Sequence, residues 1–176
     1  FDSIMTAFGK EVVQTPRKRQ RLTDCQDASN AVRGAYILLV EDNEVNQELA
    51  LEILSAAGIR VDVASNGAQA LDKVGQASYD GVLMDCQMPV MDGFEATRKI
   101  RADGRFDTLP VIAMTANAMA GDREKCLECG MNGHIAKPID VDHLFSTLAR
   151  WVKLQMKPRT PAAPWRHLPP ENLPHR

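Results

Sequence analysis

Three acidic residues and one lysine stand at the ends of short apolar runs, and their types suit phosphoryl-group chemistry. Glu41 and Asp42 end one run, Asp85 ends a second, and Lys137 follows a third. Three converging carboxylates repel one another unless a cation joins them, and hard oxygen ligands suit Mg²⁺. Asp85 is also a candidate nucleophile, because carboxylates form aspartyl phosphates. The pattern predicts one site that binds a divalent metal and handles a phosphoryl group.

Each of these residues taken alone has a simpler interpretation. An acid after a strand often caps a helix, and Lys137 before Pro138 could be a solvated residue at a turn. Capping explains Asn43 and one acid, but it does not explain three acids at two strand ends. Thr115 ends a further apolar run, so its hydroxyl can donate to a phosphoryl oxygen. Pro138 constrains the turn after Lys137, and a cis bond there would fix the direction of the lysine.

The elements that must position these residues alternate along the chain. Short apolar runs occur at 36–40, 60–64, 80–85, 110–114 and 134–136. Helical periodicity follows each run. The patterns cover about 43–58, about 66–76, a third from about Asp92 that includes Ile100, about 117–128, and a fifth with apolar residues from Leu144 to Val152. Strand then helix, five times, predicts an α/β fold, a doubly wound five-stranded parallel sheet with helices on both faces. Ligands bind such sheets at the carboxyl ends of the strands, where all the candidate residues fall.

Composition limits the other possibilities. The net charge of -2 gives no general attraction to nucleic acid or membrane, and no apolar stretch approaches the roughly 20 residues of a transmembrane helix. The first residue is Phe1, so we expect a piece of a longer protein. Cys126 and Cys129 have the spacing of half a zinc site, but a second pair is missing. A helix end in a reducing cytoplasm is the simpler interpretation.

The two ends of the chain differ in composition from its middle. Residues 1–33 are polar, with a basic cluster at 17–21 that we interpret as a solvated linker, with a nucleic-acid or targeting patch as the alternative. Residues 155–176 hold six of the ten prolines and are expected to form an extended tail or linker. The predicted domain is residues 34–154.

Four segments carry a resemblance to a known family. Val-Glu-Asp-Asn at 40–43, Met-Asp-Cys-Gln-Met-Pro-Val-Met-Asp-Gly at 84–93, Met-Thr-Ala at 114–116 and Lys-Pro-Ile-Asp at 137–140 resemble the signature segments of response-regulator receiver domains. They occur in order and correctly spaced, over residues 35 to about 154. Features at 41–47, 92–97 and 115–119 resemble receivers fused to hybrid sensor histidine kinases. The resemblance implies a flavodoxin-like sheet with strand order 2-1-3-4-5.

The resemblance also implies roles for individual residues. Asp85 would be the phosphoacceptor, with Thr115 and Lys137 in contact with the phosphoryl group. The implied ligands of Mg²⁺ are Glu41, Asp42, Asp85 and the backbone carbonyl of Gln87. The side chains of Gln87 and Asn117 would flank the site and influence how long the phosphate persists.

His134 departs from the family pattern. Receivers usually carry Tyr or Phe three residues before the lysine, and that ring moves inward when the threonine closes on the phosphate. An imidazole is smaller, polar and titratable near neutral pH, and Gly133 adds backbone freedom beside it. His134 is therefore expected either to take part in the switch with Thr115 or to be a structural histidine.

The expected function is a phosphoaccepting receiver domain of a two-component phosphorelay, part of a hybrid sensor histidine kinase. It would take a phosphoryl group from a phosphohistidine and lose it slowly to water. Its expected partner is a histidine kinase dimerisation domain or a histidine phosphotransfer domain, docked at Val45, Asn46 and Leu49. Core packing is the alternative for Val45 and Leu49. Nucleic acid and membrane are not expected partners, and the oligomeric state stays open.

Further alternatives concern the activity and the context. A stand-alone response regulator and a pseudo-receiver interaction module remain possible, although no key residue is missing. A phosphatase of another Asp-nucleophile family would need an acid at Gln87. Residues 1–8 resemble 145–152, so residues 1–10 are expected to be the last helix of an upstream receiver-like domain, with 11–33 as linker. The expected location is the cytoplasm, and a parent protein anchored in the inner membrane is an open alternative.

Overall fold

The computed structural model describes residues 26–116 and 120–152, and side chains at 120–122 are outside the description. The expectations for the helix at 1–10, the linker before residue 26 and the Pro-rich segment at 155–176 therefore lie outside the described residues, as does Asn117. Among the described residues, no helix is both long enough and apolar enough to span a bilayer.

Five parallel strands form one sheet in the order β2-β1-β3-β4-β5, which is the predicted order. Their bounds are β1 Tyr36–Val40, β2 Arg60–Ala64, β3 Gly81–Asp85, β4 Val111–Thr115 and β5 Gly133–Ala136. Every residue of β3 and β4 is buried, as expected for central parallel strands covered on both faces. The run-and-helix pattern therefore predicted each strand to within a residue or two.

Five helices follow the strands. They are α1 Glu44–Ala56, α2 Gly67–Gln76, α3 Gly93–Ala102, α4 Ala120–Glu128 and α5 Val141–Trp151, with a 3₁₀ turn at Gly104–Phe106 and a short helical segment at 26–31. Side-chain caps begin four of them, because Asn and Asp oxygens accept from the free N–H groups of the first turn. These caps are Asn43, Asn66, Asp92 and Asp140.

The core lies in two layers, one on each face of the sheet. Val82 and Met84 of β3 pack in the layer that contains Ile100 of α3 and residues of α2 and α4. Leu83 points to the opposite layer, which contains Leu54 of α1 and residues of α5. Burial of each such aliphatic side chain contributes about 1.5–3 kcal/mol. This alternation fixes which residues of a strand face which helices, and it leaves the strand ends free for polar groups.

The exposed face of α1 decides between the two interpretations of Val45 and Leu49, which were a docking surface and core packing. Val45 is 73% exposed and Leu49 is 47% exposed, whereas Ala50 and Leu54 are buried against the sheet. At about 100° per residue, Leu49 and Val45 lie roughly 100° and 140° around the helix from Ala50. The core-packing alternative is therefore wrong for both residues, and both are available for contacts with another molecule.

Three cysteines in the described part of the chain, Cys86, Cys126 and Cys129, are buried in the core. Cys126 and Cys129 lie at the end of α4 and are buried, and the Sγ atom of Cys126 is 4.0 Å from that of Cys86. Burial raises the pKa of the Cys86 thiol, so it stays protonated at neutral pH. The Cys126–Cys129 spacing coincides with the end of α4 at Glu128.

A hydrogen-bonded network stabilises the edge of the sheet. Asp62 Oδ2 accepts from the hydroxyl of Tyr36 at 2.6 Å and from the hydroxyl of Tyr79 at 2.7 Å. Burial alone would raise the pKa of Asp62, but these two hydrogen bonds lower it below the ordinary value. The ionised carboxylate therefore ties β2 to β1 and to the turn before β3.

Candidate active site

Four neighbouring strands deliver the candidate residues to one edge of the sheet. Glu41 and Asp42 follow β1, Asp85 ends β3, Thr115 ends β4, and Lys137 follows β5. Because β1, β3, β4 and β5 are consecutive in the sheet, their carboxyl ends lie side by side. The structure therefore brings together residues that are far apart in the sequence.

Lys137 joins two of the acids. Its Nζ atom lies 2.6 Å from Glu41 Oε2 and 2.6 Å from Asp85 Oδ2. Burial alone would lower the pKa of Lys137, but its hydrogen bonds to Asp85 and Glu41 outweigh that effect and raise it. The backbone N–H of Lys137 donates to the carbonyl of Thr115 at 2.8 Å, and the bond to Pro138 is cis. The ammonium group is therefore charged and held at the position of the acids.

Asp85 is buried, with 5% exposure, yet both of its carboxylate oxygens have donors. Lys137 binds Oδ2, and the backbone N–H of Gln87 donates to Oδ1 at 3.1 Å. Burial raises the pKa of Asp85; the hydrogen bonds from Lys137 and Gln87 oppose the shift, and the charge of Glu41 adds to it. The carboxylate is thus desolvated and held in one orientation, and both properties are expected of an activated nucleophile.

Glu41 has a set of donors that the sequence did not reveal. Its Oε1 accepts from the side-chain amide of Asn46 at 2.9 Å and from the backbone N–H of Asn43 at 3.4 Å. Asn46 was expected only on the docking surface. The structure shows that its amide also orients Glu41. The signal in the sequence is the spacing of five residues between Glu41 and Asn46, which places Asn46 in the first turn of α1, close to the end of β1.

The three acids have the composition of a cation site. One carboxylate oxygen from each of Glu41, Asp42 and Asp85 lies within 4.8 Å of the others, and Asp42 is exposed while the other two are buried. Three negative charges against the single positive charge of Lys137 leave an excess of two. Hard carboxylate oxygens with an open, solvated side fit Mg²⁺, which keeps several of its waters. The donor set therefore fits the predicted ion.

Gly93 packs directly against the backbone of Asp85, and sequence analysis missed it. A Cβ atom at Gly93 would overlap the carbonyl oxygen of Asp85. The N–H of Gly93 also donates to the carbonyl of Cys86 at 3.3 Å. Only glycine allows α3 to begin this close to the end of β3, so Gly93 sets the position of the candidate nucleophile.

The remaining expected residues lie in different surroundings. Thr115 is buried, with 7% exposure, at the end of β4. His134 is half-buried on β5, and its ring centroid is 6.4 Å from that of His143 on α5. Burial, then the charges of Arg123 and His143, lower the pKa of His134, so its imidazole is neutral at pH 7. Asn117 lies outside the described residues.

Curated relatives match about two thirds of this chain. Two-component system protein A of Emericella nidulans is 47% identical over 119 residues, which cover 66% of this chain and 17% of that protein. Sensor histidine kinase RcsC of Salmonella typhi is 39% identical over 123 residues, 70% of this chain and 13% of that protein. This chain therefore spans a small part of the length of the relatives that it matches.

Two solved receiver domains are similar to this chain in sequence and in fold. The receiver domain of sensor histidine kinase PA1611 from Pseudomonas aeruginosa PAO1, with a magnesium ion coordinated in its active-site cleft, is 48% identical, with a TM-score of 0.64. The similarity covers 68% of this chain and 98% of that one. The receiver domain of Saccharomyces cerevisiae Ssk1, crystallised with the histidine phosphotransfer protein Ypd1, is 27% identical, with a TM-score of 0.64, over 68% of this chain and 90% of that one.

A family match completes the comparison. Residues 37–149 match the family described as response regulator receiver domain. The segment runs from the second residue of β1 to within two residues of the end of α5. The predicted fold and the predicted family are both confirmed. The chain belongs to the response-regulator receiver family of two-component signalling.

Proposed function

We propose that this domain accepts a phosphoryl group from a phosphohistidine onto Asp85, with Mg²⁺ as cofactor. The observation that carries the proposal is the contact of one ammonium group, Lys137 Nζ, with both Asp85 and Glu41 at 2.6 Å. It supports the proposal because one positive charge contacts both the proposed nucleophile, Asp85, and a proposed metal ligand, Glu41. The magnesium ion named in the related PA1611 structure supports the choice of cofactor.

The protein groups would act mainly by position and charge. A carboxylate oxygen of Asp85 forms a bond to phosphorus, while the bond from phosphorus to the imidazole nitrogen breaks and the imidazole leaves with its electron pair. Transfer of this kind needs alignment and charge neutralisation more than acid–base catalysis. Lys137 would then leave the carboxylate of Asp85 for a phosphoryl oxygen, and the Thr115 hydroxyl would donate to another.

Glu41, Asp42, Asp85 and the Gln87 carbonyl would hold the ion, which supplies positive charge to the phosphoryl oxygens. Asn46 positions Glu41 through the 2.9 Å hydrogen bond to Oε1. The Gln87 N–H fixes the carboxylate plane of Asp85. We also propose that Gln87 and Asn117 flank the site and affect the lifetime of the phosphate, and that Thr115 and His134 carry the conformational switch.

The exposed face of α1 supports a docking role beside the site. Val45 and Leu49 present apolar side chains to solvent, and helix α1 begins three residues after Glu41. The Ypd1–Ssk1 complex shows that a receiver of this fold pairs with a histidine phosphotransfer protein. A histidine phosphotransfer domain or a kinase dimerisation domain is therefore the proposed partner, and a hybrid sensor histidine kinase is the proposed parent protein.

The test is an intact-mass measurement after incubation with Mg²⁺ and a small phosphodonor such as acetyl phosphate. The expected result is one phosphoryl adduct that survives acid, is released by hydroxylamine and is missing in Asp85→Asn. Asp72→Asn is the matched control, because Asp72 is an exposed acid on α2. An adduct that persists in Asp85→Asn, or no adduct with any donor, would overturn the proposal. The second outcome would favour a pseudo-receiver.

A further inference from the structure

Each buried carboxylate of the site has one oxygen that is held by a donor fixed in the fold. Glu41 Oε1 accepts from the side-chain amide of Asn46 at 2.9 Å, and Asp85 Oδ1 accepts from the backbone N–H of Gln87 at 3.1 Å. The remaining oxygens, Glu41 Oε2 and Asp85 Oδ2, both lie 2.6 Å from Lys137 Nζ. The two oxygens of each carboxylate are therefore not equivalent.

The two kinds of donor differ in how easily they can move. Asn46 has a short side chain, and it is half-buried in the first turn of α1. The backbone N–H of Asn43 adds a second, longer hydrogen bond of 3.4 Å to the same oxygen of Glu41. Lys137 carries its charge at the end of a flexible stem, and its side chain is 20% exposed. Lys137 can therefore release its two oxygens to a cation, whereas Oε1 of Glu41 stays occupied.

A carboxylate with one occupied oxygen can bind a cation only through the other oxygen. Mg²⁺ is small, requires octahedral geometry and keeps several of its waters, so single carboxylate oxygens satisfy it. Ca²⁺ takes roughly six to eight oxygen ligands and often binds both oxygens of one carboxylate. The hydrogen bond from Asn46 to Glu41 therefore withholds from Ca²⁺ a ligand that Mg²⁺ does not need.

We propose that Asn46 is a specificity-determining residue, which favours Mg²⁺ over Ca²⁺ by holding Glu41 to a single ligand oxygen. The inference rests on the proposed metal site at Glu41, Asp42 and Asp85, and it adds a reason for the choice of ion. Asn46 acts through Glu41 and is therefore a positioning residue. The backbone N–H of Gln87 has the same effect on Asp85, but no side-chain substitution removes that donor.

The next residue along α1 provides a matched comparison. Gln47 Nε2 donates to the backbone carbonyl of Glu41 at 2.6 Å, and the backbone N–H of Gln47 donates to the carbonyl of Asn43 at 3.0 Å. The side-chain amide of Gln47 thus holds the main chain of Glu41, whereas that of Asn46 holds the carboxylate. Loss of the Gln47 amide should weaken the binding of Mg²⁺ and of Ca²⁺ by the same factor, because it frees no carboxylate oxygen.

The experiment measures the Kd of Mg²⁺ and the Kd of Ca²⁺ for the 176-residue chain by isothermal titration calorimetry, after metal has been removed with EDTA. Asn46→Ala should weaken Mg²⁺ binding about tenfold, the lower end of the usual effect of losing a hydrogen bond that orients a metal ligand. Ca²⁺ binding should weaken by less than about twofold, because the freed Oε1 becomes a ligand. The ratio of the Ca²⁺ Kd to the Mg²⁺ Kd should therefore fall at least about fivefold.

Two further variants and a stability measurement complete the test. Asn46→Leu has a similar shape without a donor and should behave like Asn46→Ala, whereas Gln47→Ala should keep the ratio of the parent. Urea unfolding in EDTA checks that each variant folds without metal. If both ions bind and the ratio in Asn46→Ala and Asn46→Leu equals that of the parent, the inference is overturned and the metal site stands. An equal fall of the ratio in Gln47→Ala overturns it too. If neither ion binds the parent chain, the proposed metal site fails and the inference fails with it.

Discussion

Replacement of Lys137 by methionine removes the positive charge that Glu41 and Asp85 share. In the absence of divalent metal, the change leaves two carboxylates of 2% and 5% exposure without their cation. Removal of one partner from a buried ion pair costs about 3–5 kcal/mol. Protonation of one carboxylate sets an upper limit on this cost. A carboxyl with an ordinary pKa near 3.9 can be protonated at pH 7 for about 4 kcal/mol. We therefore expect Lys137→Met to lower the free energy of unfolding by about 3–4 kcal/mol at pH 7.

The same reasoning predicts the sign of the pH dependence. In the variant, burial and the charge of Glu41 raise the pKa of Asp85 without opposition from Lys137. The folded state therefore binds more protons than the unfolded state at pH values between the unfolded and folded pKa of Asp85. Its stability therefore rises as the pH falls through that window. At pH 5 neutralisation of one carboxyl costs only about 1.5 kcal/mol, so the loss should shrink to about 1–2 kcal/mol. Millimolar Mg²⁺ should also restore stability, by about 2.7 kcal/mol at one hundred times its Kd.

Urea denaturation in EDTA at both pH values, and then with Mg²⁺, measures these differences. Lys99→Met is the matched control, because Lys99 forms a 2.8 Å ion pair with Glu95 in which both side chains are 48% exposed. That pair should contribute no more than about 0.5 kcal/mol. The reasoning is refuted if Lys137→Met costs no more than Lys99→Met at pH 7, or if its cost is the same at pH 5.

Three further substitutions test other parts of the structure. Gly93→Ala should destabilise the fold by roughly 2–4 kcal/mol in thermal or urea unfolding, because its methyl group overlaps the carbonyl of Asp85. The control is Gly104→Ala, where the nearest atom to the added Cβ is 3.8 Å away, and it should change stability by less than about 1 kcal/mol. Asp62→Ala should lower the free energy of unfolding by about 1–3 kcal/mol at pH 7. Because the pKa of Asp62 is lowered in the folded state, this difference should fade as the pH drops below about 4. A difference that does not change with pH would contradict the role of the ionised carboxylate. Leu49→Glu should leave stability within about 0.5 kcal/mol but slow phosphotransfer from a phosphotransfer domain at least tenfold, and an unchanged transfer rate would exclude the α1 face as the docking site.

The local patterns in the sequence were sufficient to predict the strands, the helices and the α/β class, whereas the strand order followed from the resemblance to receiver domains. Apolar runs bounded by polar residues predicted the strands. Asn43 and Asp92 marked two helix starts, because their side-chain oxygens accept hydrogen bonds from the free N–H groups of the first helical turn. The positions of the acids at strand ends followed from the parallel sheet. These features depend on neighbours in the sequence, and short-range physics decides them.

Contacts between distant segments were not predictable in this way. The double contact of Lys137 spans 96 residues to Glu41 and 52 residues to Asp85, so no local pattern carries it. The sequence did not decide whether Val45 and Leu49 of α1 are exposed or buried, since they have the same spacing as core residues. The close approach of Gly93 to Asp85 depends on where α3 crosses the sheet. In each case the three-dimensional arrangement decides between local alternatives.

The order of the strands has a consequence for the synthesis of the protein. The acids on β1 and β3 leave the ribosome well before Lys137, which follows the last strand of the sheet. Until that strand is in place, the acidic cluster lacks the cation that both Glu41 and Asp85 contact. A nascent or truncated chain that ends before residue 137 would therefore expose a repulsive, incomplete cluster.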